Sequence, residues 1–250
     1  YAFEYAVRNG RKKVTCMSKD NIMKLTDGAF HDMFNKVAKE YPQIENEHYI
    51  IDIGSARIAS KPHLFDVLVT ETLFGDIISD IAAEVSGSVG LAGSSNIGQD
   101  FAMFEAIHGS APKRAGQNVA NPSGLMHGAI LMLDHIGQQA AAERMHNAWL
   151  KTIEDGIHTY DCFKEGVSRQ KVGTREFTDA ICERMGQKPE KLKAVSYTKG
   201  KRTEVVVERP LPNLGKKELV GIDLFIDFDG SCASLQEKLA KIKSPLDRKS

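Results

Sequence analysis

Apolar positions alternate between strand-like and helix-like spacing along most of the chain. Tyr1, Phe3, Tyr5, Ala6 and Val7 precede the stop signal Asn9-Gly10, which predicts the end of a helix. KKVTCMS follows as a strand, and Phe30, Met33, Phe34 and Val37 mark one face of a helix from about Gly28 to Glu40. HYIIDI (48–53) and DVLVT (66–70) read as further strands with a short helix between them. Gly75 interrupts the run FDVLVTET, and Ile77, Ile78, Ile81 and Val85 then recur at helical spacing as a buried face. VGLAGSSNIGQD reads as a loop, and FAMFEAI after it as a short strand. GLMHGAILMLDHIG and QQAAAERMHNAWLKTIEDGI predict two long helices within 122–157, and another helix spans about 174–186. Such alternation indicates an α/β layered architecture.

The pattern changes after residue 186. QKPEKLKAVSYTKGKR (187–202) is basic and weakly patterned and reads as a solvated linker rather than a nucleic-acid patch. Beyond it, TEVVVERP and ELVGIDLFIDF resemble strands and LQEKLAKI a helix, as in a separate small β-α module that is apparently cut off. The chain starts at Tyr1 inside a helical pattern, so an internal piece of a longer protein is expected.

Charge narrows the function classes. The 250 residues carry 33 basic and 33 acidic side chains, a balance that argues against bulk nucleic-acid or anionic-membrane binding. No apolar run approaches the ~18–20 residues of a membrane span, and the first residues lack a signal-peptide apolar core. Cys16, Cys162, Cys182 and Cys232 are scattered without metal-ligand spacing, which suits free thiols in a reducing compartment and hence a cytoplasmic location.

Four constellations carry candidate chemistry. In SKDNIMKLTDGAF, Lys19 and Asn21 follow a strand, where α/β folds present ligand groups, and a lysine there can exchange protons with a hydroxyl; the alternative is an exposed lysine beside a turn asparagine. Asp52 ends an apolar strand, which calls for a partner or a metal, or else it caps the next helix. Asp76, Asp80 and Glu84 stand at intervals of four, so they share a helix face and repel by roughly 0.2–0.5 kcal/mol per pair. A divalent cation held by oxygen ligands would account for the arrangement; an N-terminal cap at Asp76 with Asp80 solvated would also do so. In EAIHGSAPKRAGQNVANPSG, His108-Gly109, Lys113-Arg114 and Asn121-Pro122 form a polar loop opening onto a helix, with cations suited to a phosphate. No GxGxxG fingerprint accompanies it, so an ordinary Rossmann fold is not indicated.

KDNIMKLTDGAF, DIGSARIASKPHLFDVLVTETLFGDIISD and EAIHGSAPKRAGQNVANPSG, in this order, closely resemble the NADP-type isocitrate dehydrogenases of the β-decarboxylating dehydrogenase family. The resemblance covers about residues 1–186, and residues 187–250 are similar to an extra C-terminal module of one bacterial subgroup. It implies an isocitrate/isopropylmalate dehydrogenase-like layered fold, present in part. Residues 1–86 would be the remainder of the small, dimer-forming domain, 87–186 part of the large cofactor-binding domain, and 187–250 a linker with a truncated module. It further implies metal-dependent oxidative decarboxylation of isocitrate to 2-oxoglutarate and carbon dioxide, with reduction of NADP. Asp76 and Asp80 would face Mg²⁺ or Mn²⁺, with Asp52 reaching the metal of the partner subunit. Lys19 would assist proton removal and Asn21 contact substrate or nicotinamide, both also across the homodimer. Glu105 would lie near the nicotinamide ribose, and His108 and Asn121 near adenosine, in the loop that includes Gly109. Lys113, Arg114, Tyr160 and Lys164 would meet the 2′-phosphate, which favours NADP over NAD. A sister dehydrogenase for isopropylmalate, homoisocitrate or tartrate, and a non-catalytic subunit of a hetero-oligomer, are the rival readings; neither nucleic acid nor membrane is an expected partner.

Overall fold

A computed structural model of the protein describes residues 1–197 and 227–241. The chain divides into two compact units, Tyr1–Val207 and Glu208–Ser250.

Burial decides the first layer. Strand β1 (Lys13–Ser18) lies between β2 (Glu45–Ile50) and β3 (Val67–Thr70) in a parallel sheet of order β2-β1-β3, with Cys16 opposite both His48 and Val69. A central parallel strand covered on both faces has no solvent side, so Val14 through Ser18 are all buried. On one face, α1 (Ala2–Arg8) and α2 (Thr26–Ala38) bring Phe3, Ala6, Phe34 and Ala38 onto Val14 and Cys16. On the other, α3 (Ile51–Ser60) and α4 (Thr72–Val85) bring Ile58 and Ile78 onto Met17. Gly54 permits the close approach of α3, because a Cβ there would lie 2.8 Å from Met17 Sδ.

Two expectations for this layer are corrected. Helix α4 begins four residues before Asp76, and Gly75 sits inside its first turn, donating its N–H to Glu71 O at 2.8 Å. Its Cβ position has only ordinary contact with Thr70, so nothing forces the glycine to break the chain. Asp76 therefore does not cap the helix. Of the four residues expected on the buried face, Ile78 is buried and Ile81 half-buried, whereas Ile77 and Val85 are 53% and 41% exposed. Neighbouring helix positions lie ~100° apart, so Ile77 and Ile78 cannot both face the sheet.

The following segment forms a second layer. The glycine- and serine-rich stretch expected to be a loop contains β4 (Gly93–Ile97), which pairs antiparallel with β5 (Ala102–Ala106). Helix α5 (Ser123–His135) lies against this hairpin. A Cβ at Gly93 would stand 2.6 Å from Gly128 N, and one at Gly128 would stand 2.7 Å from Glu105 O, so glycine on both elements sets the spacing. Helices α6 (Gln139–Glu154) and α7 (Thr174–Glu183) close over Ala148, Phe177 and Ile181, and the short parallel strands β6 (Ile157–His158) and β7 (Gln170–Lys171) lie beside them. Arg8 of α1 pairs with Asp134 of α5 at 2.9 Å.

The described part of the expected linker, 187–197, is fastened along α6. Glu154 accepts the backbone N–H groups of Glu190, Lys191 and Leu192. Asn147 exchanges hydrogen bonds with the backbone of Val195 at 2.9 and 3.0 Å, and Tyr197 Oη lies 2.8 Å from His146 Nδ1. These partners lie about 40–50 residues upstream, where sequence pattern does not reach. In the second unit, α8 (Cys232–Ala240) overlaps the predicted last helix and begins three residues before it, and Ser231 Oγ accepts the Ser234 N–H at its start. The two expected strands of this module lie outside the described residues, save Asp227 and Phe228 at the end of the second.

Candidate active site

Parallel strands place their carboxyl ends along one sheet edge, and the residues after them form the first cluster. Lys19 directly follows β1. Its backbone N–H is held at 2.7 Å by Oδ2 of Asp27, a fully buried carboxylate that also accepts from Thr26 Oγ1 at 3.0 Å. Ile22 N and Met23 N donate to Lys19 O, so the chain turns immediately and presents the side chain. Lys19 Nζ reaches Asp52 Oδ2 at 2.7 Å.

Asp52 lies in the first turn of α3 rather than at the end of a buried strand, and its side chain is 66% exposed. The Lys19 ammonium and the Ile53 N–H hold its carboxyl below the usual range. Asn21 is exposed, and its backbone N–H serves the carboxylate of Asp20.

Asp76, Asp80 and Glu84 are exposed on α4. Among the described residues, neither the Asp76 nor the Asp80 carboxylate has a hydrogen bond or ion pair. A free, acceptor-only pair one helical turn apart is a donor set that fits a hard, oxygen-seeking cation such as Mg²⁺ or Mn²⁺. Asp52 does not join them in one chain: among the described residues, the sole three-member group with converging ligand atoms is Asp20, His31 and His48. The chain thus presents two partial clusters, Lys19 with Asp52 and Asp76 with Asp80.

A cleft of about 650 Å³ gathers most of the expected cofactor residues: His108, Gly109, Lys113, Arg114, Asn121 and Tyr160 line it, together with Glu84 of α4. The loop reaches this position through Ala111, whose left-handed φ of 44° turns it into the 3₁₀ turn Pro112–Arg114. The Arg114 guanidinium stands over the Tyr160 ring, 5.0 Å from its centre, which leaves two cations and a phenol on one wall. Glu105 and Lys164 are outside this lining. Glu105 is exposed on β5 and accepts from Asn96 at 2.9 Å; Lys164 is exposed, with its backbone N–H on Ser168 Oγ at 2.8 Å.

Sequence reasoning missed the support beneath the cleft. Asp161 Oδ2 accepts from Ser88 Oγ at 2.5 Å and from Asn121 Nδ2 at 3.0 Å, while Oδ1 accepts from Thr159 Oγ1 at 2.5 Å. Burial raises the carboxyl's pKa, but these three donors outweigh it and the net shift is downward. Burial and the adjacent Asp161 charge push the Cys162 thiol up to about 12. Asn121 also accepts the Ser123 N–H at 3.0 Å, so both ends of its amide are engaged at the start of α5. The only hint of Asp161 in the sequence is its position beside Tyr160. Asp27 was equally hidden, because an aspartate early in a helix reads as a cap.

Two cations and a phenol thus line one cleft whose wall includes the helix that carries the free carboxylates. Residues 1–181 match the isocitrate/isopropylmalate dehydrogenase family, and the chain belongs to it. The isocitrate dehydrogenase [NADP] of Rickettsia bellii is 58% identical over 244 residues, covering 97% of this chain and 50% of that protein. The isocitrate dehydrogenase [NADP] of Thermus thermophilus is 40% identical over 230 residues, 91% of this chain and 45% of that protein. The crystal structure of isocitrate dehydrogenase from Methylococcus capsulatus superimposes with a TM-score of 0.71 at 46% identity, covering 75% of this chain and 54% of that one. The chain spans about half the length of the curated relatives it matches.

Proposed function

We propose that this chain is part of an NADP-dependent isocitrate dehydrogenase that oxidises and decarboxylates isocitrate to 2-oxoglutarate and carbon dioxide. The observation that carries the reading is the cleft in which Lys113, Arg114 and Tyr160 stand together and whose wall includes Glu84, on the face of α4 that bears Asp76 and Asp80. Lys113 and Arg114 bind and orient the 2′-phosphate, with Tyr160 beside them and Lys164 approaching from the exposed segment; Glu105 lies near the nicotinamide ribose, and His108 and Asn121 contact the adenosine. Lys19 hydrogen-bonds the substrate hydroxyl and relays its proton, steadied by Asp27 behind it and Asp52 beside it. Asn21 orients the substrate or nicotinamide, hydride leaves C2 for the cofactor, and the carboxylate on the neighbouring carbon, β to the new ketone, departs as carbon dioxide, leaving an enolate that then takes up a proton. Asp76 and Asp80, with Asp52 of the partner subunit, would hold Mg²⁺ or Mn²⁺, which when bound polarises the ketone.

A homodimer is part of this reading: it would unite the two separated clusters, and exposed apolar residues on α4 support it. Leu73, Ile77 and Val85 of α4, spaced by multiples of four, are 69%, 53% and 41% exposed, and such a stripe suits burial against a second copy. No helix of the described residues is long and apolar enough to cross a membrane, and the four cysteines are free thiols; a cytoplasmic location belongs to this reading. The domain division at residues 86 and 186 does so too.

Initial rates of the full-length protein with isocitrate, isopropylmalate, homoisocitrate and tartrate, each with NADP or NAD and Mn²⁺, test the assignment. Isocitrate with NADP is expected to give the highest kcat/KM. A higher value for another acid moves the protein to a sister activity, and no turnover with any acid removes the catalytic reading.

A further inference from the structure

Asp20, His31 and His48 form a second group of converging ligands. Asp20 follows Lys19, His31 lies on α2 and His48 on β2, so the sheet edge joins residues far apart in sequence. One ligand atom from each lies within 4.8 Å of the other two. His31 Nδ1 is 2.7 Å from Asp20 Oδ2, and His48 Nε2 is 3.9 Å from Asp20 Oδ1. The two imidazoles stack with centres 3.7 Å apart, and Ser18 Oγ lies 2.8 Å from His48 Nε2. All three side chains are 17–24% exposed, which leaves an entry path from solvent.

The geometry points to a site for a borderline transition-metal dication of the Zn²⁺ or Co²⁺ class, held by Asp20, His31 and His48. Two ligands about 2.1 Å from a tetrahedral ion stand about 3.4 Å apart. The present separations of 2.7 and 3.9 Å, to the two oxygens of Asp20, bracket that spacing, and binding requires one imidazole to rotate out of the present stack so that both ring nitrogens face the ion. Two imidazoles and one carboxylate leave a fourth position for water or Ser18, and this donor set disfavours Mg²⁺, which takes oxygen ligands. At present a proton occupies the place, donated by His31 Nδ1 to Asp20. On binding, the ion replaces that proton, which moves to Nε2 or to solvent. The ion would tie β1, α2 and β2 together at the turn that carries Lys19 and Asn21.

The test is titration of the full-length protein with Co²⁺ in Mg²⁺-free buffer, read by visible d–d absorption, together with thermal unfolding with and without Zn²⁺. The variants are His31→Gln, the double change His31→Gln with His48→Gln, and Asp80→Asn. Wild type and Asp80→Asn are expected to give the same intense tetrahedral Co²⁺ spectrum and a Zn²⁺-dependent rise in Tm. The double variant is expected to lose the spectrum and the Tm rise, with affinity lower by more than about 100-fold. Metal-free Tm values show which variants fold, and the more exposed His31→Gln change supplies the result if the double variant does not. Equal Co²⁺ spectra and affinity in wild type and His31→Gln, a weak octahedral spectrum in wild type, or loss of the signal in Asp80→Asn alone would overturn the assignment.

Discussion

Replacing Asp161 with alanine removes the acceptor on which three side chains converge beneath the proposed cofactor cleft. Ser88, Thr159 and Asn121 are 8%, 1% and 7% exposed, so their donors cannot turn freely to water. A buried donor left without a partner costs about 1–3 kcal/mol, and three sharing one acceptor do not add fully, so the expected loss is about 2–5 kcal/mol. Asp161→Asn keeps the shape. Its carbonyl can accept from Ser88 and Asn121, and its amide can donate to Thr159 Oγ1, so only charge assistance is lost, about 1 kcal/mol. The two variants separate packing from charge. Urea unfolding measures the stability change, and NADP titration measures the effect on the cleft, because Asn121 lines it and loses the acceptor of its Nδ2 only in the alanine variant. The expected order of NADP affinity is wild type, then Asp161→Asn, then Asp161→Ala. A cost below about 0.5 kcal/mol for the alanine variant, or equal NADP affinity in all three, refutes the network's role.

His127 is held neutral by burial and by nearby His146, with its pKa lowered to about 4 from 6.5, and among the described residues its Nε2 has no partner. Its unfolded form binds a proton first, so stability is expected to fall by up to about 3 kcal/mol as pH drops from 6.5 toward 4. His127→Phe, which keeps a ring against Trp149, flattens that slope in Tm against pH, leaving the smaller share from His146; an unchanged slope contradicts it. Glu154 has its pKa lowered to about 2, chiefly by the N–H groups of residues 190–192. Its anchoring is therefore full above the ordinary glutamate pKa and lost as pH falls toward 2; Glu154→Gln should speed amide exchange at 190–192 even at neutral pH, and unaltered exchange there refutes the anchor. Lys113→Asp with Arg114→Ile is expected to lower kcat/KM for NADP far more than for NAD at fixed salt, by about one to two decades, and equal losses would remove these cations from 2′-phosphate recognition.

The sheet was legible because its signal is local. KKVTCMS and DVLVT match β1 and β3, whereas HYIIDI was read only half correctly: β2 runs Glu45–Ile50, and Ile51–Ile53 already belong to α3. The start of α4 was misread because Gly75 was taken as punctuation, whereas a first helical turn tolerates glycine. β4 was hidden because Gly93 serves close packing rather than a turn, and that need comes from α5, which is distant in sequence. In the site, the motif residues His108, Lys113, Arg114 and Tyr160 converge, but Asp161 and Asp27, which hold the site from below, carry no pattern of their own. Exposed Ile77 and Val85 show the limit from the other side: spacing reveals an apolar stripe but not whether its own chain covers it.

Subunit complementation tests the central claim, that Lys19 of one chain serves the Asp76–Asp80 site of another. Lys19→Met and Asp80→Asn are prepared as homodimers and, with two affinity tags, as the purified heterodimer. Both homodimers are expected to lose almost all isocitrate-dependent NADPH formation. In the heterodimer, one site receives both defects and the other neither, so about half of the wild-type rate per dimer is expected to return. If Lys19 and Asp80 acted within a single chain, each heterodimer site would carry one defect and the rate would stay at the level of the homodimers, which would contradict the account.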